Sequence, residues 1–166
     1  EDSIKVVNNY ADVIVLRHYE NGASERAAKV SQIPVINAGD GTGQHPTQAL
    51  LDLYTIKKEL GKIDGISIAM VGDLKHGRTI RSLSYLLGKY KNIKIYFVSP
   101  RALGVGNDIK DYLKKHKISY EEIENLESII TRIDVLYQTR IQKERFKRNK
   151  DYRKFKGCYQ IDSKLA

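Results

Sequence analysis

Short apolar segments alternate along the chain with segments whose apolar residues recur at helical spacing. The short segments predict strands at residues 12–17, 34–37, 65–73, 94–100, 118–123, 134–139 and 158–161. The amphipathic segments predict the end of a helix in residues 1–10 and further helices at residues 23–31, 46–60, around 80–87, 108–116 and 126–132. Nearly continuous apolar strands are typical of a parallel sheet that is buried on both faces.

This alternation of strands and helices predicts the fold class. It indicates an α/β protein with a doubly wound, Rossmann-like parallel sheet and helices on both faces. Ligands of such folds bind beyond the carboxyl ends of the strands. Polar residues cluster after four predicted strands, at residues 17–18, 40–48, 73–79 and 139–144. We therefore expect these four clusters to meet at one edge of the sheet.

The clusters at this edge are rich in cationic and imidazole side chains. Their members are Arg17, His45, Lys75, Arg78, Arg140 and Lys143. Guanidinium groups bind carboxylates and phosphates with two parallel hydrogen bonds, so three arginines at one edge favour a ligand with several such groups. Asp40 and Asp73 lie in the same clusters, and we expect them to anchor the loops.

A glycine-rich turn at residues 37–48 connects a strand to a helix. Pro46 suits the first helical position, which makes His45 the N-cap residue. The positive end of a helix dipole disfavours an imidazolium, so we expect His45 to be a neutral hydrogen-bond donor. A neutral donor suits acyl-type transfer, in which negative charge develops on a carbonyl oxygen.

Charge and cysteine content limit the partners and the compartment. The 166 residues carry a net charge of +9, and residues 143–156 hold eight of the 29 lysines and arginines. This basic run predicts a solvated loop. The apolar segments are too short to span a membrane. The lone Cys158 excludes an internal disulfide, predicts a packed core residue within the last strand and favours a reducing, cytoplasmic location.

Several enzyme classes lack their motifs in this sequence. There is no Gly-x-x-x-x-Gly-Lys-Ser/Thr loop and no Gly-x-Ser-x-Gly elbow, and the four histidines lack zinc-site spacing. The glycines at 39, 41 and 43 only partly match a dinucleotide-binding turn.

Four motifs, in order along the chain, resemble the aspartate/ornithine carbamoyltransferase family. They are Arg-His at 17–18, His-Pro-Thr-Gln at 45–48 (after Gly-Asp-Gly at 39–41), Gly-Asp-Leu-Lys-His-Gly-Arg-Thr at 72–79, and Thr-Arg-Ile-Gln-Lys-Glu-Arg at 139–145. The last two resemble the aspartate branch, since ornithine enzymes have a Ser-Met-Gly loop at the last position. The resemblance implies transfer of the carbamoyl group of carbamoyl phosphate to the amine of L-aspartate, a step of pyrimidine biosynthesis.

The resemblance implies a role for three residues toward carbamoyl phosphate. Arg17 is expected to contact the phosphate and the carbonyl oxygen, His45 to polarise that carbonyl, and Gln48 to hold the carbamoyl amide. These three are the expected catalytic residues. No metal ion and no organic cofactor is implied, so catalysis would rest on positioning and charge stabilisation.

Other residues are implied to bind the acceptor. Arg78 and Thr79 would bind the α-carboxylate of aspartate, while Arg140 and Gln142 would bind the β-carboxylate. Glu144 would orient Arg140. His76, in the third motif, replaces a tyrosine that is usual in the family.

The resemblance also implies a domain division and an assembly. Residues 1–44 would end a carbamoyl-phosphate domain, residues 45–61 would connect, and residues 62–166 would form an incomplete aspartate domain. The family's Ser-Thr-Arg-Thr and His-Pro-Leu-Pro loops have no counterpart here, so these 166 residues alone are expected to be inactive. A homotrimer is expected, with or without regulatory chains.

Two other readings remain open at this point. One is a related carbamoyltransferase with a different amino-acid acceptor, which Arg140 disfavours for a cationic acceptor. The other is a basic nucleic-acid-binding domain, although no binding motif accompanies the basic run and we expect neither a nucleic-acid nor a membrane partner. If the enzyme reading holds, residues 143–156 are expected to form a mobile loop that closes over the substrates.

Overall fold

A computed structural model describes residues 1–146 and 149–162 of the chain. The described chain alternates strands and helices from end to end. The helices are α1 (Asp2–Val7), α2 (Ala23–Val30), α3 (Pro46–Leu60), α4 (Arg78–Leu87), α5 (Asn107–Lys115) and α6 (Asn149–Arg153). The strands are β1 (Ile14–His18), β2 (Val35–Asp40), β3 (Ser67–Val71), β4 (Lys94–Val98), β5 (Ser119–Ile123) and β6 (Val135–Gln138). Short 3-10 turns occur at Arg101–Leu103, Ile130–Arg132 and Lys143–Arg145.

The strands form two parallel sheets, which confirms the predicted fold class. The smaller sheet pairs β1 with β2, and the larger one has the order β5-β4-β3-β6. In the larger sheet the chain runs outward from β3 to β5 and then returns to place β6 on the other side of β3. The carboxyl ends of β3 and β6 therefore flank the point where the strand order reverses, which is where ligands bind in such sheets.

The larger sheet is buried on both faces by different elements. On one face, α3, α4 and α5 contribute the buried side chains Leu53, Leu83 and Leu113 to a continuous apolar cluster. On the other face, Leu126 and Ile129 cover the inner strands. Helix α3 also contacts β2 and α4, so it bridges the two sheets. This bridge fixes the edge of one sheet against the edge of the other.

Two predicted elements differ from the structure. Residues 126–132 were expected to be a helix, but only the 3-10 turn at Ile130–Arg132 forms. The Asn125 side chain accepts a hydrogen bond from the Glu127 N–H, and the Asn125 backbone carbonyl accepts one from the Ser128 hydroxyl. These local hydrogen bonds favour a turn, because the segment is too short to nucleate a helix by itself. Residues 158–161 do not form the predicted strand.

The chain near Cys158 is held by side chains instead of a strand ladder. The Gln138 amide donates to the Tyr159 carbonyl over 3.0 Å, and the Tyr159 hydroxyl donates to the Glu124 carbonyl over 2.9 Å. Cys158 is exposed, so the prediction of a packed core thiol is wrong. Burial of part of its surface raises the pKa of the Cys158 thiol.

The basic segment at residues 143–156 is partly regular. It contains the 3-10 turn at Lys143–Arg145 and helix α6, so it is more structured than the solvated loop predicted, while residues 147 and 148 lie outside the described residues. Its predicted mobility and closure remain predictions. None of the helices in the described part of the chain has the length and apolar content to cross a membrane.

Candidate active site

A cavity of about 660 Å³ opens where the carboxyl ends of β1, β3 and β6 meet the loop after β2. It is lined by all eight residues that the sequence implicated: Arg17, His45, Gln48, Arg78, Thr79, Arg140, Gln142 and Glu144. Two cations expected at this edge, Lys75 and Lys143, do not line the cavity. Both side chains are exposed, because the turns that carry them direct them to solvent.

His45 occupies the N-cap position of helix α3, as its position before Pro46 predicted. Its backbone N–H donates to the Ser82 hydroxyl of α4 over 2.7 Å, and the Ser82 hydroxyl donates to the Gln44 side-chain oxygen. The Nδ1 atom of His45 lies 3.3 Å from the Thr47 hydroxyl. When that hydroxyl donates to Nδ1, the proton of the neutral ring sits on Nε2. His45 then has a donor available for a ligand.

Burial and nearby positive charge favour the neutral form of His45. Burial lowers the pKa of the His45 imidazole below its ordinary value, and the cations Arg78 and Arg17 lower it further, while Asp52 acts in the opposite direction. The dipole of helix α3 predicts the same direction. Burial and two arginines from other elements are physical causes that the local sequence did not reveal.

Arg78 connects the two sheets at the cavity. It begins α4, and its guanidinium donates to the Gly41 carbonyl over 3.1 Å. Gly39 has a φ of 110°, and a side chain there would place its Cβ 2.8 Å from the Arg78 Cζ and 3.1 Å from the His45 ring. A glycine at 39 therefore leaves room for Arg78 and His45 side by side.

The ends of β3 and β6 approach each other closely at the point where the strand order reverses. Gly72 has a φ of 118°, and a Cβ atom on it would lie 2.3 Å from the Thr139 carbonyl oxygen. The Thr139 N–H and hydroxyl both donate to the Val71 carbonyl, over 2.7 and 3.1 Å. These contacts fix the backbone immediately before Arg140.

A buried carboxylate anchors the two loops that follow these strands. Asp73 is fully buried and lies 3.0 Å from the His76 Nδ1 atom, and it also accepts from the His76 and Gln142 N–H groups. The Gln142 side chain donates to the His76 carbonyl over 3.1 Å. Asp40 likewise accepts from the N–H groups of Gly22 and Gln44. Both aspartates thus anchor loops, as expected.

Arg140 and Glu144 form an ion pair at the mouth of the cavity. Both guanidinium NH groups of Arg140 donate to the carboxylate, one of them over 3.1 Å. The hydrogen bonds to Glu144 raise the pKa of the Arg140 guanidinium. The Arg140 side chain remains 70% exposed, so the pair orients the guanidinium without removing it from solvent.

Asp52 and Tyr137 add a hydrogen-bonded pair that the sequence did not suggest. The Gln48 side-chain Nε2 donates to Asp52 Oδ1, and the Tyr137 hydroxyl donates to Asp52 Oδ2, each over 2.9 Å. Burial raises the pKa of Tyr137 to about 12, so the phenol stays protonated. Thr79 also hydrogen-bonds to Tyr137. Asp52 follows Gln48 by four residues on α3, and this helical spacing was the available signal; no such signal pointed to Tyr137.

The chain matches two family profiles along nearly its whole length. Residues 1–58 match the carbamoyl-P binding domain of aspartate/ornithine carbamoyltransferases, and residues 64–166 match their Asp/Orn binding domain. An aspartate carbamoyltransferase of Arabidopsis thaliana is 55% identical over 166 residues, which are 99% of this chain and 43% of that protein. The aspartate carbamoyltransferase catalytic subunit of Methanocaldococcus jannaschii is 56% identical over 160 residues, which are 96% of this chain and 52% of that protein.

A solved structure agrees with these matches. Aspartate transcarbamoylase from Trypanosoma cruzi, in complex with carbamoyl phosphate and aspartate, superposes with a TM-score of 0.91 at 40% identity. The alignment covers 99% of this chain and 54% of that chain. The chain therefore spans about half the length of the relatives it matches.

The plant relatives correct the expected compartment. The Arabidopsis thaliana protein and further plant relatives are described as chloroplastic. The prediction of a cytoplasmic protein from Cys158 is therefore wrong. A lone cysteine shows that a chain has no internal disulfide, but reducing conditions are not confined to one compartment.

Proposed function

The chain belongs to the aspartate/ornithine carbamoyltransferase family, and on that basis we propose that it forms part of an enzyme that transfers a carbamoyl group from carbamoyl phosphate to L-aspartate. The observation that carries the proposal is the single cavity lined by all eight implicated residues. The cavity combines three arginines with a neutral imidazole, which suits two anionic ligands and a reacting carbonyl between them. The T. cruzi relative binds carbamoyl phosphate and aspartate together.

In the proposed reaction, carbamoyl phosphate binds beside α3. Arg17 contacts its phosphate and its carbonyl oxygen, and the neutral His45 donates a hydrogen bond to that oxygen. Gln48 holds the carbamoyl amide. The aspartate amine attacks the carbonyl carbon, and negative charge develops on the oxygen that His45 faces. The C–O bond to phosphate then breaks, and the proton that the amine releases leaves with the phosphate. Donors already in place at that oxygen lower the barrier because they need no reorganisation.

Aspartate binds on the side of β3 and β6 in this proposal. Arg78 and Thr79, at the start of α4, hold the α-carboxylate, and Arg140 with Gln142 holds the β-carboxylate. Glu144 keeps the Arg140 guanidinium oriented through their paired hydrogen bonds. An acceptor with a cationic side chain, such as ornithine, would meet the positive charge of Arg140. This charge supports aspartate over a different amino-acid acceptor.

The proposal extends to domains, assembly and pathway. We divide the chain into the end of a carbamoyl-phosphate domain (residues 1–44), a connecting helix (residues 45–61) and most of an aspartate domain (residues 62–166). We propose a homotrimer of catalytic chains, and the naming of the M. jannaschii relative as a catalytic subunit supports an assembly of subunits. The product, N-carbamoyl-L-aspartate, would serve pyrimidine biosynthesis.

The test is a turnover assay on the complete protein that contains this chain. Purified protein is given carbamoyl phosphate with L-aspartate, and N-carbamoyl-aspartate and phosphate are quantified. We expect equimolar products with L-aspartate and at least a hundredfold lower turnover with L-ornithine, since the side-chain ammonium of ornithine would face the like charge of Arg140. Equal or greater turnover with L-ornithine would contradict the proposed acceptor. Sedimentation of the same sample tests the trimer.

A further inference from the structure

Gln48 has its two amide ends in different surroundings. Its Nε2 atom donates to Asp52, which does not line the cavity, while Gln48 itself does. In the described part of the chain, no hydrogen bond from a protein group reaches the Gln48 Oε1 atom. The carbonyl oxygen of the Gln48 side chain is therefore the end that remains available to a ligand.

Building on the proposed function, we propose that Asp52 is a positioning residue that fixes the orientation of the Gln48 amide. In this orientation the cavity prefers a carbamoyl compound, which presents an N–H group, over an acyl compound, which does not. An ionised carboxylate only accepts hydrogen bonds, so it can pair with the NH2 end of the glutamine and not with its carbonyl. The Asp52 side chain thereby decides which end of the Gln48 amide faces the cavity.

Tyr137 hydrogen-bonds to the second carboxylate oxygen of Asp52. Its hydroxyl donates to Asp52 Oδ2 over 2.9 Å, so both oxygens of Asp52 have a partner and the carboxylate is held between α3 and β6. Since the phenol stays protonated, this donor persists at neutral pH. Tyr137 therefore supports the position of Asp52, while the acceptor-only character of the carboxylate sets the Gln48 orientation.

The fixed orientation of the Gln48 amide determines which class of ligand the cavity prefers. An acceptor oxygen in the cavity pairs with the NH2 group of a carbamoyl donor, whereas an acyl donor of the same shape presents a methyl group there. A site built to hydrogen-bond an N–H group discriminates strongly against an analogue without it, because the polar atom of the protein is then left without a partner. Asp52 thus makes the site selective for carbamoyl over acetyl donors.

Equilibrium binding tests this selectivity without requiring turnover. Two stable probes differ only at the group in question: phosphonoacetamide carries NH2, and 2-oxopropylphosphonate carries CH3. Calorimetry on the complete protein should give phosphonoacetamide an affinity about 10- to 100-fold higher, the range expected when one acceptor would otherwise be left without its partner. Asp52→Asn can pair with either end of Gln48, so the preference should fall to about threefold or less.

Three further variants separate this role from other effects of Asp52. Tyr137→Phe should keep the preference, because the carboxylate remains. Asp111→Asn makes the same chemical change on the exposed surface of α5 and should leave both affinities unchanged. In a Gln48→Ala background, Asp52→Asn should cause no further loss of phosphonoacetamide affinity. If Asp52→Asn lowers phosphonoacetamide affinity in this background as much as it does in the otherwise wild-type protein, Asp52 acts through another group, such as His45, and the inference is overturned.

A measurement on the unmodified protein keeps the inference testable if Asp52→Asn does not fold. The side-chain amide protons of Gln48 should exchange with solvent more slowly than those of the exposed Gln160, because they are hydrogen-bonded to a carboxylate. Equal exchange would overturn the inference. A protein that shows the predicted preference but no turnover with aspartate would instead contradict only the proposed function. Turnover without the preference would contradict only the role of Asp52.

Discussion

Gly72→Ala tests whether the close approach of the ends of β3 and β6 constrains the sheet. Gly72 has a φ of 118°, outside the range that residues with a side chain adopt readily. The new Cβ would also lie 2.3 Å from the Thr139 carbonyl oxygen and 2.8 Å from its hydroxyl oxygen. The N–H and the hydroxyl of Thr139 both donate to the Val71 carbonyl of β3, so Thr139 cannot move away without breaking these two hydrogen bonds.

The expected cost combines two contributions. The backbone conformation costs about 1–3 kcal/mol for a residue with a Cβ atom, and overpacking against fixed backbone costs about another 1–3 kcal/mol. We therefore expect Gly72→Ala to lower the free energy of unfolding by about 2–6 kcal/mol. Gly61 is a matched control, since its φ is 71° and no atom lies within 4 Å of an added Cβ. Gly61→Ala should cost only about 1 kcal/mol.

Urea unfolding of the two variants measures this difference. With a denaturant dependence of about 2 kcal/mol per molar urea, Gly72→Ala should lower the midpoint by about 1–3 M and Gly61→Ala by about 0.5 M. Because Thr139 precedes Arg140, Gly72→Ala should also weaken aspartate binding in the complete protein. If the two alanine variants are equally stable, the close contact between Gly72 and Thr139 does not constrain the sheet and the reasoning is refuted.

Three further predictions concern the cavity. Arg140→Ala should raise the KM for aspartate far more than that for carbamoyl phosphate, with a loss of about 3–5 kcal/mol of transition-state binding in steady-state kinetics. Urea unfolding should show a loss of less than about 1 kcal/mol of folding stability, since the pair with Glu144 is exposed. An unchanged dependence of the rate on aspartate would show that Arg140 does not belong to the site. His45 should titrate below its ordinary value of 6.5 in an NMR experiment. The unfolded chain then binds the proton on His45 more readily than the folded chain does. The stability contributed by His45 is therefore complete above pH 6.5 and decreases as the pH falls from there through the folded pKa. His45→Gln should remove this part of the pH dependence of stability. Amides in residues 143–146 and 149–156 should exchange faster in the unliganded protein than in its complex with a bisubstrate analogue, and strong protection without ligand would contradict loop closure.

The sequence alone determined the features that depend on local pattern. The alternation of apolar strands with amphipathic helices predicted the parallel α/β fold, because burial on both faces requires that pattern. The same pattern placed His45 at the start of α3, where Pro46 marks the first helical turn. It also placed the polar clusters after the carboxyl ends of the strands, although the predicted single edge is divided between two sheets in the structure. These inferences needed no knowledge of which distant residues meet.

The tertiary structure alone decided which side chains, beyond the eight implicated by the sequence, lie at the cavity or away from it. Tyr137 meets Asp52 across 85 residues of sequence, a contact set by the register of β6 against β3 and by the packing of α3. Lys75 faces solvent, although its motif lies at the same edge as Arg78. Residues 126–132 carry apolar residues at helical spacing, yet they form a turn that presses Leu126 against the sheet. Spacing along a chain predicts which face of an element is buried, but non-local packing decides what that face meets.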